Sequence, residues 1–298
     1  MKIHYIKPGF IHLSAITMMA FTTQPVAADK IDVEERALDA DQVTRFEAQA
    51  VEGDFKILSH DENKVLLKIT REVKDVDDGK AELILAALKT DFDADGGTIH
   101  LREDHPGNPR EWKEAAGLRN ADYEILYELW MPPTIDLDVT TVEGDVLIGE
   151  MAGKCEVTTT EGDVLVEEAG GLARIKSTEG DVLIKKVSGP AQVSTVEGDV
   201  IIVESTSFQV QSVEGDVMVE LSGQPSGNCS LNTVEGDINL DLPQEAAITI
   251  VAQSLSGKVN LVLPLDNQVT NGGQTVGTRN GGGPSIQLSS IEGDIGIK

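Results

Sequence analysis

The sequence predicts an all-β fold, a parallel single-chain β-solenoid (β-helix-like) of roughly 18-residue coils with a small α+β N-terminal cap. Three observations predict it: a recurring Glu-Gly-Asp tripeptide, a nearly fixed spacing between its copies, and apolar columns at set distances from its glycine. A short, fixed period is typical of proteins whose repeats stack only on their neighbours.

The tripeptide recurs along most of the chain, as in "TTVEGDVLI" at residues 140–148. Its copies are centred on Gly53, Gly144, Gly162, Gly180, Gly198, Gly215, Gly236 and Gly293, with a degenerate copy, "LSGKV", around Gly257. From Gly144 onward the spacings are 18, 18, 18, 17, 21, 21 and 36 residues. The last gap spans two repeat lengths and contains a Gly- and Asn-rich segment, residues 267–284, which predicts a loop replacing part of one coil.

Four columns of each repeat are apolar, at seven and five residues before the glycine and at two and four after it. The positions between them are mainly polar, and this alternation predicts two short strands per repeat with one buried face. Gly153, Gly171 and Gly189 mark a second bend. In-register stacking then gives parallel ladders about 4.8 Å apart.

The alternation breaks at Glu-Gly-Asp, which predicts a corner whose glycine has a positive φ angle. Three residues before the glycine, every copy from Thr141 onward has Ser or Thr, and we expect this hydroxyl to bond the turn backbone. The flanking acids should point to solvent. A stacked aspartate row would contain Asp145, Asp163, Asp181, Asp199 and Asp216. The acids are either solvated charges that prevent lateral pairing or a ladder that binds cations such as Ca²⁺.

An apolar column also lies on the face that should point outward, three residues after the glycine. It contains Leu147, Leu165, Leu183, Ile201 and Met218. A contiguous row of this kind is usually covered. The amphipathic segment "GKAELILAALK", residues 79–89, is one candidate cover, as a helix lying across the sheet. A partner protein or a second copy of the chain is the other.

The sequence predicts neither a disulfide nor a catalytic centre. Cys155 and Cys229 occupy the same inward column four coils apart, about 19 Å, which is too far for a bond. The pair His100 and His105 in "TIHLREDH" has the spacing of an exposed strand edge rather than a metal site. A polysaccharide-active β-helix enzyme would need clustered basic residues, whereas Lys and Arg are sparse here.

Residues 1–28 predict a secretory signal peptide, with Lys2 and Lys7 ahead of an apolar stretch that is too short to cross a bilayer. The alternative for this stretch is a membrane anchor. Cleavage would remove two lysines and no acid, which takes the net charge from −27 to −29. Such a surface repels nucleic acid and anionic lipid. We expect a protein without a membrane span, in the periplasm, on the cell surface or secreted.

The chain divides into the leader, a capping region over 29–135 with one coil-like unit, a possible helix and a polar loop over 103–120, and solenoid repeats over 136–298.

The "DYEILYELWMPP" strand followed by tandem "TVEGDVLI" repeats resembles the "putative adhesin" family of bacterial β-strand-repeat domains of unknown function. The resemblance implies an exported, adhesin-like protein and supplies no defined site residues. We expect no cofactor, with Ca²⁺ on the acid rows as the alternative.

Three functional hypotheses follow from these observations. The first is a non-enzymatic exported adhesin or envelope scaffold with a protein or glycan partner, in which self-association is also possible. The second is a cation- or ligand-binding module that uses the acid rows. The third is a polysaccharide-active enzyme.

Overall fold

The computed structural model describes residues 29–74, 78–104 and 122–298, and within these it forms two facing β-sheets. The first sheet has the spatial order β1 (Lys30–Asp39), β4 (Lys64–Lys74), β7 (Asp122–Met131), β3 (Asp54–Ser59), β9 (Val146–Met151), β11 (Val164–Ala169), β13 (Val182–Ile184), β15 (Val200–Ser205), β17 (Val217–Leu221), β19 (Ile238–Asp241), β25 (Ile295–Ile297) and β21 (Val259–Leu261).

The second sheet lies opposite and carries the other strand of each coil. Its spatial order is β22 (Asp266–Asn271), β23 (Gln274–Arg279), β20 (Ile248–Ser254), β24 (Ser285–Glu292), β18 (Cys229–Glu235), β16 (Phe208–Gln211), β14 (Ala191–Ser194), β12 (Ala173–Lys176), β10 (Cys155–Thr158), β8 (Asp136–Thr140), β2 (Arg45–Gln49), β6 (Thr98–Asp104) and β5 (Lys89–Asp95). One helix, α1 (Asp78–Ala87), lies among the described residues. The predicted leader lies outside them.

The predicted parallel solenoid is confirmed, and its register is the one that the columns indicate. Val146, Val164 and Val182 stand side by side in the first sheet. In the second sheet, Val157 stands beside Ile175 in the same way. Within most strands of the coils, buried residues alternate with more exposed ones, because successive side chains point to opposite faces. The inward columns of the two sheets meet as one continuous core.

Each corner needs glycine for two reasons that Gly198 illustrates. Its φ is +117°, a backbone conformation that side chains disfavour. A Cβ atom there would also lie 2.2 Å from the backbone oxygen of Gly180 in the neighbouring coil. The predicted hydroxyl contact is confirmed as well: Thr195 is buried and its Oγ1 donates to the backbone oxygen of Glu197 at 3.0 Å.

The N-terminal side of the stack is closed by antiparallel strands and by the helix. The coil formed by β6 and β7 stacks outside β2 and β3, and β4, β1 and β5 follow as antiparallel edges. Helix α1 contacts β4 and β1, and its Ala81 and Ile84 are part of the core. The helix is therefore present as predicted, but the expectation that it covers the outer column Leu147–Met218 is wrong. It covers the open end of the core, where apolar side chains lack a further coil.

The cap also buries polar side chains. Arg71, only 4 % exposed, donates to Asp32 Oδ2 at 3.1 Å, to Glu34 Oε2 at 3.0 Å and to Thr90 Oγ1 at 3.2 Å. Glu103 accepts one hydrogen bond from the Tyr127 hydroxyl and one from the Val51 N–H, both at 2.7 Å. These contacts join strands of both sheets. The rest of the predicted 103–120 loop, with His105, lies outside the described residues.

At the other end, the order of coils in space differs from their order in the chain. Strands β24 and β25 are inserted between β18–β19 and β20–β21, so that Ile286 lies between Cys229 and Ile250. Residues 267–284 are not the predicted loop. Most of them form the hairpin of β22 and β23, which extends the second sheet beyond β20. The degenerate copy at Gly257 is the outermost coil.

The two cysteines are free and buried, as the sequence predicts. Cys155 lies on β10 and Cys229 on β18, with β12, β14 and β16 between them. Burial raises the pKa of the Cys155 thiol to about 12, and the charge of Asp136 adds to this effect. Both residues are packing groups in the inward column.

Candidate interaction surface

The aspartate of each corner makes a structural contact. Asp163 Oδ1 accepts the backbone N–H of Asp181 at 2.8 Å, and Asp181 does the same for Asp199. We call the whole series the aspartate ladder. It comprises Asp54, Asp145, Asp163, Asp181, Asp199, Asp216, Asp237 and Asp294. All five predicted cation ligands, Asp145 to Asp216, belong to it, each with one oxygen already engaged by the next coil.

The ladder explains why the degenerate copy is outermost. The backbone N–H of Lys258 donates to Asp294 Oδ1 at 2.8 Å, in the place where other copies have aspartate. A lysine has no oxygen to offer a further coil, so the ladder ends there. Terminal repeats of stacked folds are commonly atypical.

At the other end of the ladder, the surroundings of Asp54 shift its pKa. Burial raises the pKa of Asp54, and the charges of Asp145 and Glu124 raise it further, against the opposing hydrogen bond from the Asp145 N–H. In the described ranges, no three His, Cys, Asp or Glu residues are grouped so that they could hold a metal ion. The calcium hypothesis stays a prediction.

The glutamates of the corners differ from the aspartates. Their backbone joins the stack through parallel bridges, but from Glu143 onward their side chains are exposed. We call the following residues the glutamate row: Glu161, Glu179, Glu197, Glu214, Glu235 and Glu292. Within the part of the chain that the structure describes, these carboxylates have no hydrogen-bond or ion-pair partner. They are unneutralised charges at about ladder spacing.

A second exposed apolar column lies beside the glutamate row, and the sequence reasoning missed it. Two residues before the motif glycine, Val213 is 41 % exposed, Ile291 is 44 % exposed and Leu255 is 70 % exposed. In spatial order the column contains Val142, Thr160, Thr178, Val196, Val213, Val234, Ile291 and Leu255. It could have been found by reading the corner positions as columns, although they lie outside the strand alternation.

The outer column predicted from the sequence is real, and we call it the outer stripe: Leu147, Leu165, Leu183, Ile201 and Met218. Its members lie side by side on successive strands of the first sheet. Each is half-buried, on the face away from the core. Lys56 precedes the stripe in the same row and Asn239 follows it. The stripe is therefore an apolar band of five strands with polar ends.

The outer face of the second sheet is polar by comparison. Glu156, Arg174 and Gln192 occupy successive strands there, with Arg174 donating to both neighbours. A shallow depression on the same face is lined mainly by Glu47, Gln49, Asp138 and Thr140, beside His100. His100 Nδ1 lies 3.3 Å from Glu47 Oε2. The apolar and polar outer faces thus lie on opposite sides of the stack.

The strongly shifted titratable groups lie inside the protein rather than on either outer face. Burial raises the pKa of Tyr127, and the charge of Glu103 and its hydrogen bond raise it further. Burial also raises the pKa of Tyr123, assisted by Glu52. The shifts follow from the burial of both phenols next to acidic side chains of the cap. No helix in the described ranges is long and apolar enough to cross a membrane.

The family model "Toastrack DUF4097" matches residues 134–298. Among solved structures, the chain is similar to a putative adhesin from Parabacteroides distasonis, at 9 % identity and a TM-score of 0.41, covering 90 % of this chain and 97 % of that one. It is also similar to a putative lipid binding protein from the same organism, at 14 % identity and a TM-score of 0.38, over 90 % and 97 %. A putative adhesin from Bacteroides fragilis is similar at 15 % identity and a TM-score of 0.36, covering 90 % of this chain and 96 % of that one. No curated protein matches.

Proposed function

The chain belongs to the Toastrack DUF4097 family, and we propose that it is a non-enzymatic, exported envelope protein that acts as an adhesin-like interaction scaffold. The observation that carries the proposal is the outer stripe. Five in-register strands hold large apolar side chains on an outer face, and neither helix α1 nor another described element covers them. Large apolar patches on a rigid surface are typical of sites where another molecule binds.

The stack supports this role because its rigidity is built in. From β2 and β3 onward, each coil is fixed to the next by backbone ladders, by the aspartate ladder and by the corner glycine. Side chains on such a surface lose little conformational freedom on binding, which favours affinity. The half-buried leucines lie on strands rather than loops, and a site on strands keeps its geometry.

The placement of the protein is tested on whole cells. A protease added to intact cells should remove the protein if it is on the surface, whereas protection with release on outer-membrane permeabilisation indicates the periplasm. Recovery only with the cytoplasmic fraction would contradict export. The signal peptide that the sequence predicts over residues 1–28 supports export.

The stripe is tested by cross-linking in the same cells. A photoreactive residue at Leu183, in the outer stripe, is compared with one at Gln209, an exposed position on the outer face of the second sheet. We expect discrete cross-linked products from position 183 and not from 209, and their loss in a Leu165→Ser variant. Equal cross-linking from both positions would contradict the proposed role of the stripe.

A further inference from the structure

The repeated corner contains two side chains that the fold does not use. In the copy "SVEGDV", residues 212–217, Ser212 bonds the backbone of Glu214, Gly215 has the positive φ, Asp216 bonds the next coil and Val217 is buried. Val213 and Glu214 remain. Both side chains are exposed, and no described residue pairs with the Glu214 carboxylate.

Backbone conformation alone does not account for the apolar residue. The chain bends at this position in most copies, and Thr occupies the bend at Thr160 and Thr178, so the bend itself does not require an apolar residue. Beyond Thr178 the column changes from Thr to apolar residues and stays apolar for five coils in space. These are Val196, Val213, Val234, Ile291 and Leu255. A solvated corner gains nothing from this change, so it indicates a surface that is covered.

The adjacent carboxylates define what covers it. We name the five apolar residues, together with Glu197, Glu214, Glu235 and Glu292, the corner ridge. At ladder spacing it is about 19 Å long. It carries one apolar row and one row of negative charges side by side, on a chain with a net charge of −27. A second copy of the chain would bring glutamate rows together, and like charges at an interface are unfavourable.

From this complementarity we propose that the corner ridge binds a basic amphipathic helix of a partner protein. About 13 helical residues span 19 Å at 1.5 Å per residue. A helix of that length can present an apolar stripe to the valine column and a Lys/Arg stripe to the glutamate row. The inference deepens the proposed function by naming a partner class, but it uses a different surface from the outer stripe.

The probe is a synthetic 14-residue helical peptide with adjacent leucine and lysine stripes, measured by fluorescence anisotropy. Its scrambled isomer has the same charge without the stripes and measures unspecific attraction. We expect the striped peptide to bind the full chain at least about tenfold more tightly, a difference of about 1.4 kcal/mol. Equal binding of the two peptides would overturn the proposal.

Two pairs of variants place the binding site. Val213→Thr with Val234→Thr copies residues that the chain already uses at Thr160 and Thr178, so the fold should be kept. This pair, or Glu214→Gln with Glu235→Gln, should remove most of the difference between the peptides. The matched control, Glu161→Gln with Glu179→Gln, removes the same charge where the neighbouring column is Thr, and should leave that difference unchanged. If the control lost as much of the difference between the peptides, the effect would be one of net charge, and the corner ridge would not be the binding site.

Other occupants give distinguishable results. If sedimentation shows a dimer that the valine variants dissociate, the ridge binds a second copy of the chain and the proposal is overturned. Binding to phosphatidylcholine vesicles that the valine variants abolish would overturn it in favour of a lipid surface. A Leu165→Ser variant should bind the peptide normally, so the outer stripe and the corner ridge can fail separately.

Discussion

In the repeated corner every coil uses the same contacts with its neighbour, whereas the N-terminal cap depends on single contacts between distant parts of the chain. At the corner, Asp181 and Gly198 have equivalents in the coils on either side. In the cap, Arg71 joins β4 to β1 and β5, and each of these contacts is made once. The comparison shows that stability in the coils comes from repetition, and in the cap from a buried charge with specific partners.

The largest expected effect comes from replacing a corner glycine. Gly198→Ala places a Cβ atom 2.2 Å from the Gly180 oxygen at a φ of +117°, and backbone on both sides is fixed by ladders. We expect a loss of about 4 kcal/mol or more in the free energy of unfolding, measured by guanidinium denaturation. Gly223→Ala is the control, since its Cβ would meet nothing within 4 Å, and should change stability by less than about 0.5 kcal/mol. Similar values for the two variants would contradict the tight stacking.

Removing the buried charge of the cap should have the next largest effect. Arg71→Met leaves Asp32 without its cation and Glu34 with Arg36 alone, but both acids reach water, so we expect a loss of about 2 kcal/mol rather than the full cost of a buried pair. Arg174→Met removes a half-exposed arginine from the outer face of the second sheet and should cost less than about 1 kcal/mol. Hydrogen exchange should show the Arg71 effect in β1 and β4 and leave β11 to β17 protected.

Acid should act in opposite directions on Glu34 in the cap and on Asp54 at the first corner. Burial opposes ionisation of Glu34, but its hydrogen bonds to Arg36 and Arg71 dominate and lower the pKa. Glu34 therefore stabilises the fold above its unfolded pKa, near 4.5, and this contribution is lost as the pH falls through the lower folded value. The raised pKa of Asp54 has the opposite effect on stability. Protonation is easier in the folded state, so ionised Asp54 destabilises the fold at neutral pH and the penalty disappears in acid.

Two neutral variants test these signs by denaturation at pH 7 and pH 3. Glu34→Gln should destabilise the protein at pH 7 and have little effect at pH 3. Asp54→Asn keeps an oxygen for the Asp145 N–H and should stabilise the protein at pH 7, with little effect at pH 3. If both variants shift stability in the same direction at pH 7, the contrast between cap and ladder is wrong.

The smallest expected effect is that of calcium on the corner. Ca²⁺ takes six or more oxygens, whereas each aspartate of the ladder has one oxygen engaged by a backbone N–H. We expect millimolar CaCl₂ to shift the melting temperature no more than NaCl of equal ionic strength. A larger shift that Asp181→Asn abolishes would revive the cation ladder of Asp145 to Asp216.

The corner was predictable from the sequence because its residues recur in identical surroundings. The positive φ of Gly198, the hydroxyl contact of Thr195 and the separation of Cys155 from Cys229 all follow from the spacing of the copies. The position of α1 was not predictable, because an amphipathic pattern shows which face of a helix is buried but not which surface that face contacts. The predicted helix is correct and its place on the outer stripe is not.

The spacing of the copies also does not predict the spatial order of the last coils. The copy at Gly293 fits beside Gly236 as well as beside Gly257, since the motif specifies how coils meet and not which ones. Lys258 was a usable signal, because it ends the aspartate ladder. The exposed glutamates of the corner ridge were predicted, but its apolar residues were missed. Val213 lies where the strand alternation breaks, and alternation was the guide to exposed apolar positions.

The inserted strands constrain how the molecule can assemble. The ribosome makes β20 to β23 before β24 and β25, yet β24 and β25 lie between them and the rest of the stack. Growth by addition of one coil after another therefore stops at β19. Strands β20 to β23 therefore cannot dock stably on the stack until β24 and β25 have been made and lie between them and β18–β19. Deleting residues 284–298 should accordingly not shorten the molecule by one coil, but release everything from β20 to β23.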